Sequence, residues 1–463
     1  MTDSRPLTLT PRIEPSLQSV LDETELLHQL ADGLGSPLNI VLPGALAANV
    51  EAFRAVYRRH HLRGHVYFAH KANRSSALLR ELATTEAGVD VASLGELQHA
   101  LGAGFTPDRI VATGPKNRDF LGLAVRTGVL ISVDSLDELL LLQKSGARVL
   151  LRLSGFTSTG VQTISRRSRF GIPFDRLDEA LDRCEEIAGI AYHLDTIGPP
   201  EKAVALEGCL AAIDECRRRG LPVWSIDIGG GFGVNYLADG AEWERYTTEL
   251  GQAVLGRRAP MTWNDHGYGL RNEAGTLRGA LGLYPAYRPV SGPGYLDQLL
   301  ATPAPEQRRP LGELLLDSMI DLDIEPGRAL LDQAGLVLAR VVSADGEIVR
   351  LDINAGDVSL EEHGVLMDPV LVGDRREDPT EVFLLGNLCL ESDLITRRKV
   401  TLPARPRPGD LLAFVNTAGY FMDFSATRAL HQSIARTVAV SRRANRWTWC
   451  LDDQYWPVHG GAS

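Results

Sequence analysis

Residues 65–93, HVYFAHKANRSSALLRELATTEAGVDVAS, carry the reading on which the fold turns. They open with an apolar, aromatic run at His65–His70, pass through a helical stretch, and end in a second apolar run at Val89–Ser93. The same alternation extends from residue 36 to about 230, as repeated strand–helix units of a parallel sheet should read. Leu38–Leu42, Ile110–Thr113, Val129–Val133, Val149–Leu153, Ile190–Leu194 and Val223–Ile228 are the other strands expected, with amphipathic helices such as Ala45–His60 and Pro200–Arg219 between them. Eight strands predict an α/β fold built on a (β/α)8 TIM-like barrel. A doubly wound open sheet has the same local rhythm, so periodicity alone leaves closure open.

Beyond residue 330 the texture changes. Gly335–Val342, Glu347–Asn354, Glu381–Leu388, Lys399–Leu402, Asp410–Val415 and Trp447–Leu451 are short runs broken by Gly, Pro and Asp, the pattern of a separate antiparallel β domain. The expected organisation is an N-terminal segment, 1–35, packing on the β domain, then a barrel at 36–330 and a C-terminal β domain at 331–463. Residues 237–320, rich in Arg, Gly and Tyr, read as an insertion in the barrel. The chain has 463 residues, 44% of them apolar and 23% charged, which suits a folded globular protein rather than a disordered one.

A net charge of −11 is the wrong sign for neutralising nucleic acid or an anionic lipid surface. The first twenty residues lack a basic start followed by an apolar core, and no apolar run reaches the ~18 residues needed to cross a bilayer, so a cytoplasmic protein is expected. Five cysteines, Cys184, Cys209, Cys216, Cys389 and Cys450, form no CxxC pair, which argues against a disulfide framework and a thiolate metal site. No metal is expected.

Lysine is scarce: Lys71, Lys116, Lys144, Lys202 and Lys399 are the only ones among 48 basic residues. Lys71 ends an expected strand. At the C-terminal mouth of a barrel an amine can be desolvated, lose proton affinity and form an imine with a carbonyl; the plainer alternative is a surface lysine starting a loop. Ser225–Gly233, SIDIGGGFG, runs an apolar strand into a glycine cluster whose bare N–H groups can approach an anion, although the GxGxxG spacing of a dinucleotide site is not met. In Ile324-Glu325-Pro326-Gly327-Arg328 a guanidinium able to grip phosphate lies three residues from a carboxylate able to serve a ring nitrogen. Read alone, that segment is better taken as a turn with a surface ion pair.

An imine lysine, a glycine phosphate cup and an acid for a pyridine nitrogen are together the needs of pyridoxal 5′-phosphate. Their order resembles the fold-type III pyridoxal phosphate-dependent decarboxylases, the diaminopimelate, ornithine and arginine decarboxylase group, from about residue 36 to 440. FAHKAN resembles the family's YAxKAN, with Lys71 as imine lysine, and GVDVASLGEL is close to the segment that supplies Asp90 and Glu96 near the cofactor. SRFGI at 168–172 matches the block after the middle barrel strand. In AYHLDTIG, His193 falls where a histidine stacks on the cofactor ring and Thr196 where a serine binds phosphate. GGGFG (Gly229, Gly230 and Gly231 first) and EPGR (Glu325, Gly327, Arg328) match unchanged. GNLCLESD resembles GPxCxxxD, with Cys389 and Asp393 in register, PGD at 408–410 is shared, and TAGY aligns Tyr420 with a phosphate-contacting tyrosine.

The resemblance implies decarboxylation of an amino acid or amino-acid conjugate, with Lys71, Cys389 and His193 catalytic. It also implies a head-to-tail homodimer in which Cys389, Asp393 and Tyr420 reach a shared active site. Glu325 favours the protonated ring that loss of carbon dioxide needs; the alanine racemases, which share the barrel, place an arginine there. The alternatives are an amino-acid racemase or epimerase and a non-catalytic decarboxylase-like regulator.

Departures from the family bear on substrate. Leu390 follows Cys389 where diaminopimelate enzymes have a CES triplet, and the glutamate is displaced to Glu391. EEHGVLMDPV at 361–370 replaces an RPxLY-type substrate block. Asp195, in place of the glycine of HIGS, is expected either to meet a cationic substrate group or to cap the next helix. About 96 residues separate Gly229 from Glu325, more than is usual in the family. These changes predict a specialised substrate of secondary metabolism rather than the precursor of housekeeping lysine.

Overall fold

The computed structural model describes residues 6–156, 168–184, 186–194, 198–422, 424–443 and 446–457. Two compact units form. One gathers Leu46–Gly233 and Val290–Leu330, together with Trp456 and Pro457; the other gathers the chain up to Ala45, Val234–Pro289 and Leu331–Tyr455.

The first unit is a parallel barrel. Its strands run in the order Tyr67–Ala69, Gly88–Val91, Ile110–Ala112, Leu130–Val133, Val149–Ser154, Gly189–Ala191, Ser225–Asp227 and Asp321–Asp323, each paired in parallel with the next. A parallel bridge between Val66 and Ile324, with the Tyr67 N–H donating to Ile324 O at 2.8 Å, joins last strand to first. The interior is filled, since Tyr67, Val111, Leu130, Leu150, Ala188 and Ala191 form a buried cluster. Helices start promptly after the strands because a side-chain acceptor waits there. Ser75, Ser93, Asn117 and Ser135 each accept the N–H three residues on, satisfying donors that an uncapped helix would leave bare.

Two expectations are corrected. Leu38–Val41 is not the first barrel strand; it lies in the sheet of the second unit, antiparallel to Gly335–Asp345 and parallel to Arg436–Arg443. All four of its residues are buried, and a helix, Pro43–Arg59, follows directly, so locally it reads as a barrel repeat. The eighth barrel strand is Asp321–Asp323, three residues with two carboxylates, immediately after the stretch read as an insertion. That stretch also supplies helices Gly292–Ala301 and Leu311–Asp317 of the barrel unit.

The second unit is a largely antiparallel sheet. Its order is Val400–Leu402, Thr380–Leu385, Ile348–Leu351, Gly335–Asp345, Leu38–Val41, Arg436–Arg443 and Arg446–Leu451, with Leu411–Val415 also paired to Gly335–Asp345 and Val370–Leu371 to Leu411–Val415. The helix Gly240–Val254 and the exposed hairpin Leu270–Glu273/Thr276–Gly279 belong here. A buried charge cluster ties them in. Arg398, fully buried, holds Asp368 at 2.6 Å and lies 5.8 Å from the ring centre of Tyr246. Asp368 also accepts the Leu9 N–H at 2.9 Å, and Glu361 accepts the Tyr268 hydroxyl at 2.9 Å and the Arg397 N–H at 2.7 Å.

Candidate active site

Parallel strands deliver side chains to the C-terminal mouth of a barrel, and the expected residues of the first unit collect there. Lys71 lies in the short turn His70–Ala72 that ends the Tyr67–Ala69 strand. Its Nζ sits 3.0 Å from the carboxylate of Asp90 on the neighbouring strand, which also accepts the Thr113 hydroxyl. The ion pair has one end buried: Asp90 is closed off, whereas the Lys71 side chain keeps 38% of its surface open. Glu96 spends a carboxylate oxygen on the Ala92 N–H at 2.7 Å while its own N–H binds the Ser93 hydroxyl. It therefore shapes the loop beside Asp90.

The Ser225–Asp227 and Asp321–Asp323 strands are direct neighbours, so the glycine cluster and the Glu325–Arg328 turn emerge side by side. Glu325 N–H donates to Gly229 O at 3.0 Å. Gly229 and Gly231 have φ of 64° and 83°, a left-handed backbone that suits glycine. A Cβ on Gly230 would come within 2.9 Å of Glu325 O and 3.3 Å of His193 Cε1, so this wall has room for bare backbone alone.

Glu325 shares the mouth with two further carboxylates. Burial raises its pKa well above the carboxylate range, and Asp227 and Asp90 raise it further, against the pull of Lys71 and Arg152. Asp227, the last residue of its strand, is pushed up to about 7, first by burial and then by Asp323. Its Oδ1 accepts the Gly229 N–H at 2.8 Å, and its Oδ2 has no hydrogen-bond partner among the described residues. His193 accepts the Gly230 N–H on Nδ1 at 3.2 Å. Desolvation by the barrel wall, then Arg152, Lys202 and Lys71, hold its pKa well below the usual value, so the ring is neutral. Asp195 and Thr196 lie outside the described residues.

Sequence reasoning missed Asp227 and Arg152. Arg152, on the Val149–Ser154 strand, holds Asp134 at 3.1 Å and covers the Phe170 ring at 5.1 Å. Behind it Lys116, its side chain fully buried, is held by Ser132 O at 2.8 Å and Glu138 at 3.1 Å. The usable signal was a charge inside an otherwise apolar strand, Asp227 in SIDIG and Arg152 in VLLRLS.

The remaining expected residues belong to the second unit. Cys389 and Glu391 are exposed on the loop after Thr380–Leu385. Asp393 is buried, and its carboxylate accepts the Leu388 N–H at 2.8 Å and the Ala355 N–H at 2.9 Å, so it pins the Cys389 loop. Tyr420 adopts φ of 73°, and its ring meets Phe424 at 5.8 Å and His363 at 6.5 Å. No cluster of metal-ligating side chains occurs among the described residues, and no helix there is long and apolar enough to cross a membrane.

A barrel mouth with a lysine on a buried aspartate, a glycine wall and a buried acid defines a pyridoxal-enzyme class. The family described as pyridoxal-dependent decarboxylase, pyridoxal binding domain, matches residues 45–275. An uncharacterized protein of Sinorhizobium fredii, y4yA, is 32% identical over 422 residues, covering 86% of each chain. The diaminopimelate decarboxylase of Methanothermobacter thermautotrophicus is 26% identical, over 86% of this chain and 85% of its own. The crystal structure of diaminopimelate decarboxylase from M. jannaschi superposes with a TM-score of 0.70 at 19% identity, covering 91% of this chain and 90% of that one. The chain belongs to the fold-type III pyridoxal phosphate-dependent amino-acid decarboxylases, as a divergent member.

Pyridoxal phosphate fits the residues present. Asp90, Asp227 and Glu325 crowd three acids together, which raises the pKa of Glu325 and of Asp227, and a protonated ring nitrogen placed near Glu325 would favour its ionised form. The glycine wall, with Gly327 and Arg328 beside it, would hold the phosphate, and Lys71 the aldehyde.

Proposed function

We propose that the enzyme decarboxylates an amino acid or amino-acid conjugate other than meso-diaminopimelate, and that its active site is shared between the subunits of a homodimer. The observation that carries the reaction type is Glu325, its side chain only 10% exposed and its pKa raised by Asp227 and Asp90, which favours a positive ring nitrogen over a neutral one. Bound pyridoxal phosphate supplies the electron sink that lets the Cα–carboxylate bond break with loss of carbon dioxide. Lys71 Nζ, oriented by Asp90 at 3.0 Å, would be the group that holds the cofactor's aldehyde. Neutral His193 would lie against the cofactor ring without opposing its charge. Thr196 and Arg328 would assist the glycine wall at the phosphate, and in the dimer Tyr420 would reach the phosphate of the other subunit's site.

Cys389 returns a proton to Cα, and in a head-to-tail dimer its exposed thiol serves the other subunit's barrel. Asp195 and Glu391 are the candidates for a cationic group on the substrate. A substrate other than diaminopimelate is supported by Leu390, 57% exposed beside Cys389, and by the 361–370 block. There Glu361 and Asp368 are both spent on Arg398 and on backbone N–H groups, leaving neither carboxylate to read a substrate.

The test is carbon dioxide release from a panel of D- and L-amino acids, acidic, basic and conjugated, with Lys71→Ala as the inactive control. Glu325→Gln should cut kcat by roughly 100-fold, the usual scale for removing one electrostatic support. Turnover of meso-diaminopimelate at a housekeeping rate overturns the substrate proposal. Solvent deuterium incorporated at Cα without carbon dioxide would make the enzyme a racemase.

A further inference from the structure

Lys202 is fully buried on the Pro199–Arg218 helix, in the same unit as the glycine wall. Its Nζ donates to the Gly230 carbonyl at 2.5 Å and lies 5.4 Å from the ring centre of Phe232. Phe232 is itself wedged edge-on between Phe53, at 5.4 Å, and Tyr295, at 5.9 Å. Burying an ammonium is unfavourable unless its hydrogen bonds are made, and that to the Gly230 carbonyl is one that Lys202 makes.

A trans peptide directs its C=O and the following N–H to opposite sides. With Gly230 O drawn onto Lys202, the Gly231 N–H faces away from the lysine, and no backbone acceptor takes it among the described residues. The two preceding N–H groups are already committed, Gly229 to Asp227 and Gly230 to His193. A cation on a carbonyl also polarises that peptide and strengthens its N–H as a donor.

We propose that Lys202 is a positioning residue for the phosphate group of the cofactor, acting through the Gly230–Gly231 peptide and never touching the reacting atoms. The assignment rests on pyridoxal phosphate being the cofactor. It predicts that loss of the ammonium weakens recognition of phosphate and leaves recognition of the pyridine ring intact.

The test titrates full-length, cofactor-free Lys202→Met with pyridoxal phosphate, with pyridoxal and with inorganic phosphate. The expected result is a Kd for pyridoxal phosphate raised tenfold or more, an unchanged Kd for pyridoxal, and loss of the rise in thermal midpoint that inorganic phosphate gives the wild type. Equal weakening of both aldehydes, or no weakening of either, overturns the assignment. Should that variant not fold, Lys202→Gln keeps a neutral donor for Gly230 O. It should weaken pyridoxal phosphate at least threefold with pyridoxal unchanged, and an unaltered Kd rejects the role. Wild-type protein that responds to inorganic phosphate but not to pyridoxal phosphate would break the cofactor reading instead, and the phosphate arm alone then decides on Lys202.

Discussion

Asp227 occupies a position where a charge is costly. It closes an apolar strand, faces Asp323 and Asp90, and has one carboxylate oxygen committed to the Gly229 N–H. Its folded pKa of about 7 lies above the ordinary 3.8, so its favourable contribution to stability is complete below about pH 4 and is lost as pH rises through 7. In the cofactor-free protein, Asp227→Asn should therefore be more stable than the wild type at pH 8, by up to about 4 kcal/mol. The gap should close as pH falls toward 4. Denaturant midpoints at pH 8 and 5 measure this, and a gap of constant size would mean that Asp227 does not take up the proton. Residues with motif neighbours, Lys71, Asp90, Glu325 and the glycines, were legible in the sequence because their chemistry is local. Asp227, Arg152 and Lys202 were passed over: a charge inside an apolar strand marks the first two, but the partners that give all three a role lie on other strands and helices.

At the scale of elements, the glycine wall and the Glu325 turn are held in one register by the pairing of two three-residue strands and the Glu325–Gly229 hydrogen bond. Gly230→Ala pushes a methyl group against Glu325 O and the His193 ring, an overpacking of about 1–3 kcal/mol. The strain falls on the wall proposed to hold the cofactor's phosphate. We expect pyridoxal phosphate to bind about tenfold more weakly or worse, read as loss of cofactor absorbance on dilution. Most barrel strands could be read from their apolar runs followed by capped helices. Leu38–Val41 was assigned to the wrong sheet because four buried residues before a helix look the same in either sheet. Asp321–Asp323 escaped because two of its three residues are charged, and Arg436–Arg443 because arginines open and close it.

At the scale of the molecule, Arg398 joins segments far apart in sequence: the start of the chain through Asp368 and Leu9, the 234–289 stretch through Tyr246 and Tyr268, and the sheet itself. Arg398→Met would leave two buried carboxylates without their cation, a loss of about 3–5 kcal/mol. It should appear as a lower urea midpoint with cofactor absorbance retained at low urea. Weakened absorbance with an unchanged midpoint would contradict a purely structural role. The cluster was invisible to sequence reading because its members sit in four stretches with nothing unusual in any one.

The last barrel strand arrives almost a hundred residues after the seventh, and Glu325, the acid proposed to serve the ring nitrogen, follows it by two positions. On the ribosome, a nascent chain that has already emerged with its reactive lysine, its histidine and its glycines still has an open seam in the cylinder. Vitamin loading must wait for late translation, so a fragment cut short before residue 321 would be expected to stay colourless however well its earlier repeats had formed.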